Sequence, residues 1–299
     1  MSCIVIWSAS PRNTSITNPF KMNERNGTRG NKMKNFFATI LIFSLLTGCD
    51  NNQEANTSSA AEDTDPVQTD TSTPTSQPIV EYIWQKKGPD FSEEKLNELI
   101  IKWNARIDAG KYDMNGANIL RPRFEDERFD FIWVLLWPSQ EARDAAWSDW
   151  NANQASDWGK ETTNVFSYSP ENVYGFEPTW GYRTSNFDLE NSETETFEPN
   201  FSFCSFNEGH DQSSLDAMKS KYNAWLEEPN DDNTEPYAYV MLEPQESTEG
   251  VDFVWLDLFL SMEDKQSGEE SWAGTDLEKN WNEMAKCQTY QFAATAIRR

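Results

Sequence analysis

The chain has 299 residues, with 50 acidic against 25 basic side chains and a formal net charge of −25. Six of the basic residues and one of the acids precede residue 50, so the remainder stands at −30. A surface of that sign repels phosphate backbones and anionic headgroups. This excludes nucleic-acid binding and leaves attraction of cations, or plain solubility, as what the charge does.

Residues 1–32 carry no pattern of a folded element, and both Met22 and Met33 are more natural translation starts than Met1. Lys32 and Lys34 then precede an apolar run from Phe36 to Leu46, which ends in Leu46-Thr47-Gly48-Cys49. The run is too short for a bilayer-spanning helix, which needs roughly 20 residues. It has the length of a signal-peptide core, roughly 7–15 residues. The order of basic flank, apolar core, small residues and cysteine resembles the lipobox of bacterial lipoproteins. The resemblance implies a signal peptide over 33–48 and lipidation at Cys49. It also implies a chain held to the membrane by its acyl groups, on the periplasmic side of a bacterial envelope. Asp50 resembles an inner-membrane retention signal, with the outer membrane as the alternative.

Residues 49–78 are Ser-, Thr- and Asp-rich with almost no large apolar side chain, the composition of a disordered tether. From Ile79 onward the chain is dense in aromatics: of 13 tryptophans, only Trp7 lies outside 79–299. Tyr82 to Lys86 reads as a strand. Glu93 to Ile107 reads as a helix, with Leu96, Leu99, Ile100, Trp103 and Ile107 on one face and Asp90 or Ser92 as cap. Strands come next at Asn118–Phe124 and Phe131–Trp137. Pro138-Ser139 starts a second helix, Gln140 to about Asn153, and Val165–Tyr168 begins a fourth strand.

The same series then returns: Phe201–Phe206, Ser213–Leu226, Tyr237–Glu243, Phe253–Phe259, a helix ending near Met284, and Cys287–Ile297. At an offset of 122, Leu120, Pro122, Phe131, Trp133, Leu136, Ser139 and Glu141 meet Leu242, Pro244, Phe253, Trp255, Leu258, Ser261 and Glu263. At an offset of 119, Lys102-Trp103-Asn104-Ala105 meets Lys221-Tyr222-Asn223-Ala224. The change of offset falls in a loop, where insertions are tolerated. An internal duplication is expected, with repeats over 79–182 and 199–299 and a linker over 183–198.

The order βαββαβ is the split βαβ, or ferredoxin-like, unit. Two such units, each with an aromatic third strand leading through serine into a Trp-bearing helix, resemble the dimeric α/β-barrel superfamily. That group includes antibiotic-biosynthesis-monooxygenase-like, EthD-like and stress-responsive barrel proteins. The expected fold class is therefore α+β, two tandem ferredoxin-like repeats forming an intrachain dimeric α/β-barrel, a pseudo-dimer within one chain. Cys204 and Cys287 remain after Cys49, as a disulfide or as two buried thiols. The resemblance implies that they sit on adjacent strands, within reach of a disulfide.

Chemistry is sparsely marked. His210 is the single histidine and reads as a loop residue, with a base or haem ligand as the alternative. Asp231-Asp232-Asn233-Thr234-Glu235 reads as an acidic turn rather than a calcium loop, because the glycine and spacing of an EF-hand are missing. No metal site and no cofactor are expected. The superfamily's cofactor-free oxygenases carry a tryptophan on the second helix and an asparagine in the substrate cavity. That resemblance points to Trp147, Trp272, Asn104 and Asn223, with Trp133 and Trp255 on the facing strands and His210 nearby. The expected role is binding of a small aromatic or apolar ligand in a Trp-lined cleft. The alternatives are a cofactor-independent monooxygenase or isomerase, and a structural lipoprotein that presents an acidic surface to a protein partner.

Overall fold

The computed structural model describes residues 77–189, 195–228 and 235–299. The described residues belong to one unit of the chain, Thr75–Arg299. The signal-like run, Cys49, the tether up to residue 76 and Asp231–Thr234 lie outside the described residues.

In chain order the elements of the first half are β1 (Ile79–Lys87), α1 (Glu93–Gly110), β2 (Gly116–Pro122), β3 (Phe131–Trp137), α2 (Gln140–Asn153), α3 (Ala155–Thr162), β4 (Phe166–Ser167) and β5 (Val173–Arg183). The second half supplies β6 (Thr196–Phe206), α4 (Gln212–Glu227), β7 (Tyr237–Pro244), β8 (Phe253–Phe259), α5 (Met262–Trp272), α6 (Asp276–Met284) and β9 (Ala285–Arg298). The described residues form a mixed α+β fold: a closed, antiparallel, eight-stranded barrel with six α-helices. Around the barrel the strands run β3-β2-β9-β6-β8-β7-β5-β1, and β1 pairs with β3 to close it. The two-residue β4 pairs antiparallel with the last two residues of β1, Lys86 and Lys87. None of the described helices is long and apolar enough to cross a membrane.

Strand alternation divides the apolar residues between two layers. Ile79 and Ile83 of β1 and Phe131, Trp133, Leu135 and Trp137 of β3 pack with Leu96, Leu99, Trp103 and Ile107 of α1. The intervening residues Val80, Tyr82, Trp84, Ile132 and Val134 are also buried, which is why β3 reads as an unbroken apolar run. They face the barrel interior. Tyr82 meets Phe176 of β5 and Phe201 of β6 edge-on at 5.5 and 5.3 Å, and Phe201 meets Phe292 of β9 at 5.5 Å. Aromatic rings thus fill the barrel, and the open space lies instead between the strands and the helices outside them.

Side chains set the helix starts. Ser92, Ser139, Asp211, Ser261 and Thr275 each accept a hydrogen bond from a first-turn amide. Ser139 and Ser261, 122 residues apart, open α2 and α5 in the same way.

The expected element map needs four corrections. The strand expected to begin at Val165 is only the two-residue β4, and the long strand β5 starts separately at Val173, because Pro170 opens a 3-10 turn over Pro170–Asn172. A separate helix, α3, comes after Asn153. The helix expected to end near Met284 is two, α5 and α6, broken at Gly274 with φ +78°. β6 begins at Thr196, so its first residues come from the stretch expected to be linker.

Candidate functional site

A cavity of about 360 Å³ lies between the second-half strands and α4, α5 and α6. Tyr222, Trp225, Trp272 and Trp281 form its walls, and Asn200, Ser202, Trp255, Asp257 and Thr289 its floor. The walls are braced by ring contacts, with Tyr222 edge-on to Trp255 at 5.7 Å and to Trp272 at 5.3 Å. Beside the floor, on the same sheet face, Tyr239 stacks on Trp255 with centroids 3.8 Å apart. Gly181 makes room for that stack: a Cβ there would stand 1.7 Å from Tyr239 Cε2.

Asp257 is the one charged residue in the apolar strand β8. Its Oδ1 accepts from the Tyr237 hydroxyl at 2.6 Å and from the Trp255 indole at 2.7 Å. Among the described residues its Oδ2 has no partner. Burial pushes the Asp257 carboxyl up to about 6, against the pull of the two donors. Burial likewise pushes the Tyr237 and Tyr222 phenols up, helped by the Asp257 charge. Asn200 stands directly across the β6–β8 ladder from Asp257. It is 5% exposed, and its Oδ1 has no hydrogen-bond partner. Lys265 of α5 is 2% exposed with its Nζ unpartnered, and burial pushes its amine down. A carboxyl raised to about 6 is placed to take up and release a proton near neutral pH, whereas Lys265 does not line the cavity.

The first half has its own cavity, of about 240 Å³, walled by Trp103, Trp147, Trp150 and Trp158 over Gln85 and Trp133. No acidic, basic or histidine side chain lines it. The fully buried Glu81 stands behind two of the lining tryptophans, with both oxygens engaged. Its Oε2 accepts from the indoles of Trp137 and Trp147 at 2.7 and 2.8 Å, and its Oε1 pairs with Arg143 at 2.7 Å.

The expected site residues separate in space. Trp133 and Trp147 line the first cavity, and Trp255 and Trp272 line the second. Trp272 stands eleven residues past its cap Ser261, the place that Trp150, not Trp147, holds after Ser139. Asn104 and Asn223 line neither cavity. Asn104 Nδ2 donates to the Ile297 carbonyl at 2.8 Å and Asn223 Nδ2 to the Gly181 carbonyl at 3.3 Å. Each asparagine therefore ties a helix of one half to the last strand of the other. His210 is exposed before α4, 3.3 Å from Ser214 Oγ, and reaches neither cavity. Cys204 and Cys287 face each other on β6 and β9 and are joined by a disulfide, and Cys287 borders the second cavity. Among the described residues, no group of three His, Cys, Asp or Glu side chains is arranged to hold a metal.

Sequence reasoning missed Asp257, Lys265, Asn200 and Tyr237. A signal for Asp257 was present: a lone carboxylate inside Phe253-Val254-Trp255-Leu256-Asp257-Leu258-Phe259, on the same strand face as Trp255. Nothing local marks the lysine or the asparagine.

No protein-family model matches the chain, and no curated protein matches it. Among solved structures it is similar to an anthrone oxidase-like protein, at 12% identity over 75% of this chain and 92% of that one, with a TM-score of 0.43. It is similar to a variant of chlorite dismutase from Candidatus Nitrospira defluvii, at 8% identity over 74% and 92%, TM-score 0.47. A dye-decolorizing peroxidase from Bacteroides thetaiotaomicron is similar at 9% identity over 74% and 94%, TM-score 0.44. Likenesses this remote transfer no chemistry to the chain.

Proposed function

We propose that the protein is a cofactor-independent enzyme of the isomerase type, with Asp257 as the general base in the second-half cavity. One observation carries this reading. A carboxylate sits on an aromatic floor with one oxygen held by Tyr237 and Trp255 and the other free of protein partners. In the step proposed, Oδ2 takes a proton from a carbon next to a substrate carbonyl, the C–H electron pair forms a carbon–carbon double bond, and the carbonyl π pair moves onto its oxygen. In a substrate with a β,γ double bond the proton then returns to the γ-carbon as the carbonyl re-forms, so the double bond moves into conjugation and no oxidant is consumed. General-base catalysis of this kind contributes about 10²–10⁴-fold.

The cavity also defines a substrate class. Its tryptophans fit a flat ring. Its wall carries Glu235, Asp257, Asp264, Glu269 and Glu278, which repel an anion and accept a neutral or cationic molecule. The test uses 2-tetralone, a neutral aromatic ketone, in heavy water. The full chain should speed deuterium entry next to the carbonyl, and Asp257→Asn should return the rate to that of buffer. Equal rates with both proteins would refute the assignment.

A second reading, ligand binding without catalysis, suits the first-half cavity, which has no acidic, basic or histidine side chain on its wall.

The two halves are read as tandem ferredoxin-like repeats of the dimeric α/β-barrel type. Supporting this, the sheet order β5-β1-β3-β2 of the first half has the same form as β9-β6-β8-β7 of the second. The chain is further read as a lipoprotein anchored through Cys49 on the periplasmic side, with Asp50 favouring the inner membrane. Support for that part is the sequence from Lys32 to Asp50 alone. Loss of acyl-chain labelling in Cys49→Ser tests it.

A further inference from the structure

Two residues that line the first-half cavity each carry a buried polar atom that no protein group satisfies. Trp133 and Gln85 are each 4% exposed and both line the cavity. The Trp133 Nε1 and the Gln85 Oε1 have no hydrogen-bond partner. Buried polar groups in folded proteins are nearly always paired, so each exception asks for a missing partner.

The two orphans are complementary: an indole nitrogen only donates, and an amide oxygen only accepts. They are also neighbours. In the β1–β3 ladder Ile83 opposes Trp133 and Gln85 opposes Phe131, which makes Gln85 and Trp133 diagonal partners on one face. The second half shows what has been left open. There the Trp255 indole donates to Asp257 two residues along β8, whereas Leu135 stands two residues beyond Trp133. Glu81 cannot substitute, because both of its oxygens are engaged.

We propose that this cavity is a second binding site, for a small neutral aromatic molecule bearing a hydroxyl group. The hydroxyl oxygen accepts from Trp133 Nε1 and its proton is donated to Gln85 Oε1. A hydroxyl is the simplest group that meets both needs at one atom. The volume of about 240 Å³ restricts the ligand to one or two rings. The wall without formal charges favours a neutral molecule.

The test uses the full chain labelled with nitrogen-15 and the probe 2-naphthol. The Trp133 indole signal, assigned by its loss in Trp133→Phe or by through-space contacts to Phe166, should shift as the probe is added. The methyl ether of the probe, which cannot donate, should bind about tenfold more weakly. Gln85→Met should bring the two probes to equal affinity. If 2-naphthol leaves the Trp133 signal in place, or if both probes bind alike to the unaltered chain, the proposal fails.

Discussion

Asn200 and Asp257 oppose each other across the β6–β8 ladder, in the place where Glu81 opposes Leu135 across β1–β3. The acid has changed strand between the halves. On β1 it is enclosed by Arg143, Trp137 and Trp147. On β8 it keeps an oxygen open to a cavity, and the nearby Lys265 reaches no partner. One half has thus closed its carboxylate into structure while the other leaves it available for chemistry.

The raised Asp257 carboxyl makes a stability prediction whose sign is fixed. The folded state holds this proton up to about pH 6, while the unfolded chain releases it near the ordinary 3.8. Stability from this group is therefore present below about 3.8 and lost as pH rises through 6. Asp257→Asn keeps an oxygen for Tyr237 and Trp255 but removes the charge. It should gain stability at pH 7, by up to about 3 kcal/mol, and show a flatter profile between pH 4 and 6 in urea denaturation. Higher stability with lost activity is the trade-off expected of a strained site.

Arg143→Ala leaves Glu81 buried, charged and unpaired except for the two indoles. Denaturation should report a loss of about 3–5 kcal/mol. Replacing both partners, Glu81→Gln with Arg143→Met, should recover much of that loss. No recovery in the double variant would show that the pair does more than compensate itself.

The Cys204–Cys287 bridge closes a segment with a sequence separation of 83 and lies at the core of the second half. Reduction, or Cys204→Ser, should lower stability by about 4 kcal/mol through the freed unfolded chain. Because Cys287 borders the cavity, ligand affinity there should fall as well, readable by calorimetry.

Ligand charge offers a further check. Tryptamine and indole-3-acetate share a ring system and differ in the sign of their tail. The five carboxyl groups around the second cavity predict that tryptamine binds and indole-3-acetate does not. The preference should weaken as salt screens the wall.

Much of the barrel was legible in sequence, because its signals are local. The runs Phe131–Trp137 and Phe253–Phe259 match the observed strands to the residue, and Ser139 announces α2. β5 was not legible. Pro178 and the glycines Gly175 and Gly181 interrupt its pattern, and it is held by ladder partners far along the chain, Leu242 among them. The site was half legible. Tryptophans are conspicuous, and four of those singled out line the cavities. The asparagines were equally visible, but their role depends on carbonyls 42 and 193 residues away, which no local pattern encodes. Asp257 and Lys265 matter because of burial, a property of the assembled layers rather than of neighbouring residues.

The most direct measurement is a carbon-13 NMR titration of the Asp257 carboxyl in the full chain. A midpoint near pH 6, displaced when 2-tetralone is added, is the predicted result. A midpoint near the ordinary 3.8, unmoved by the probe, would describe a solvated surface acid and contradict its assignment as the base.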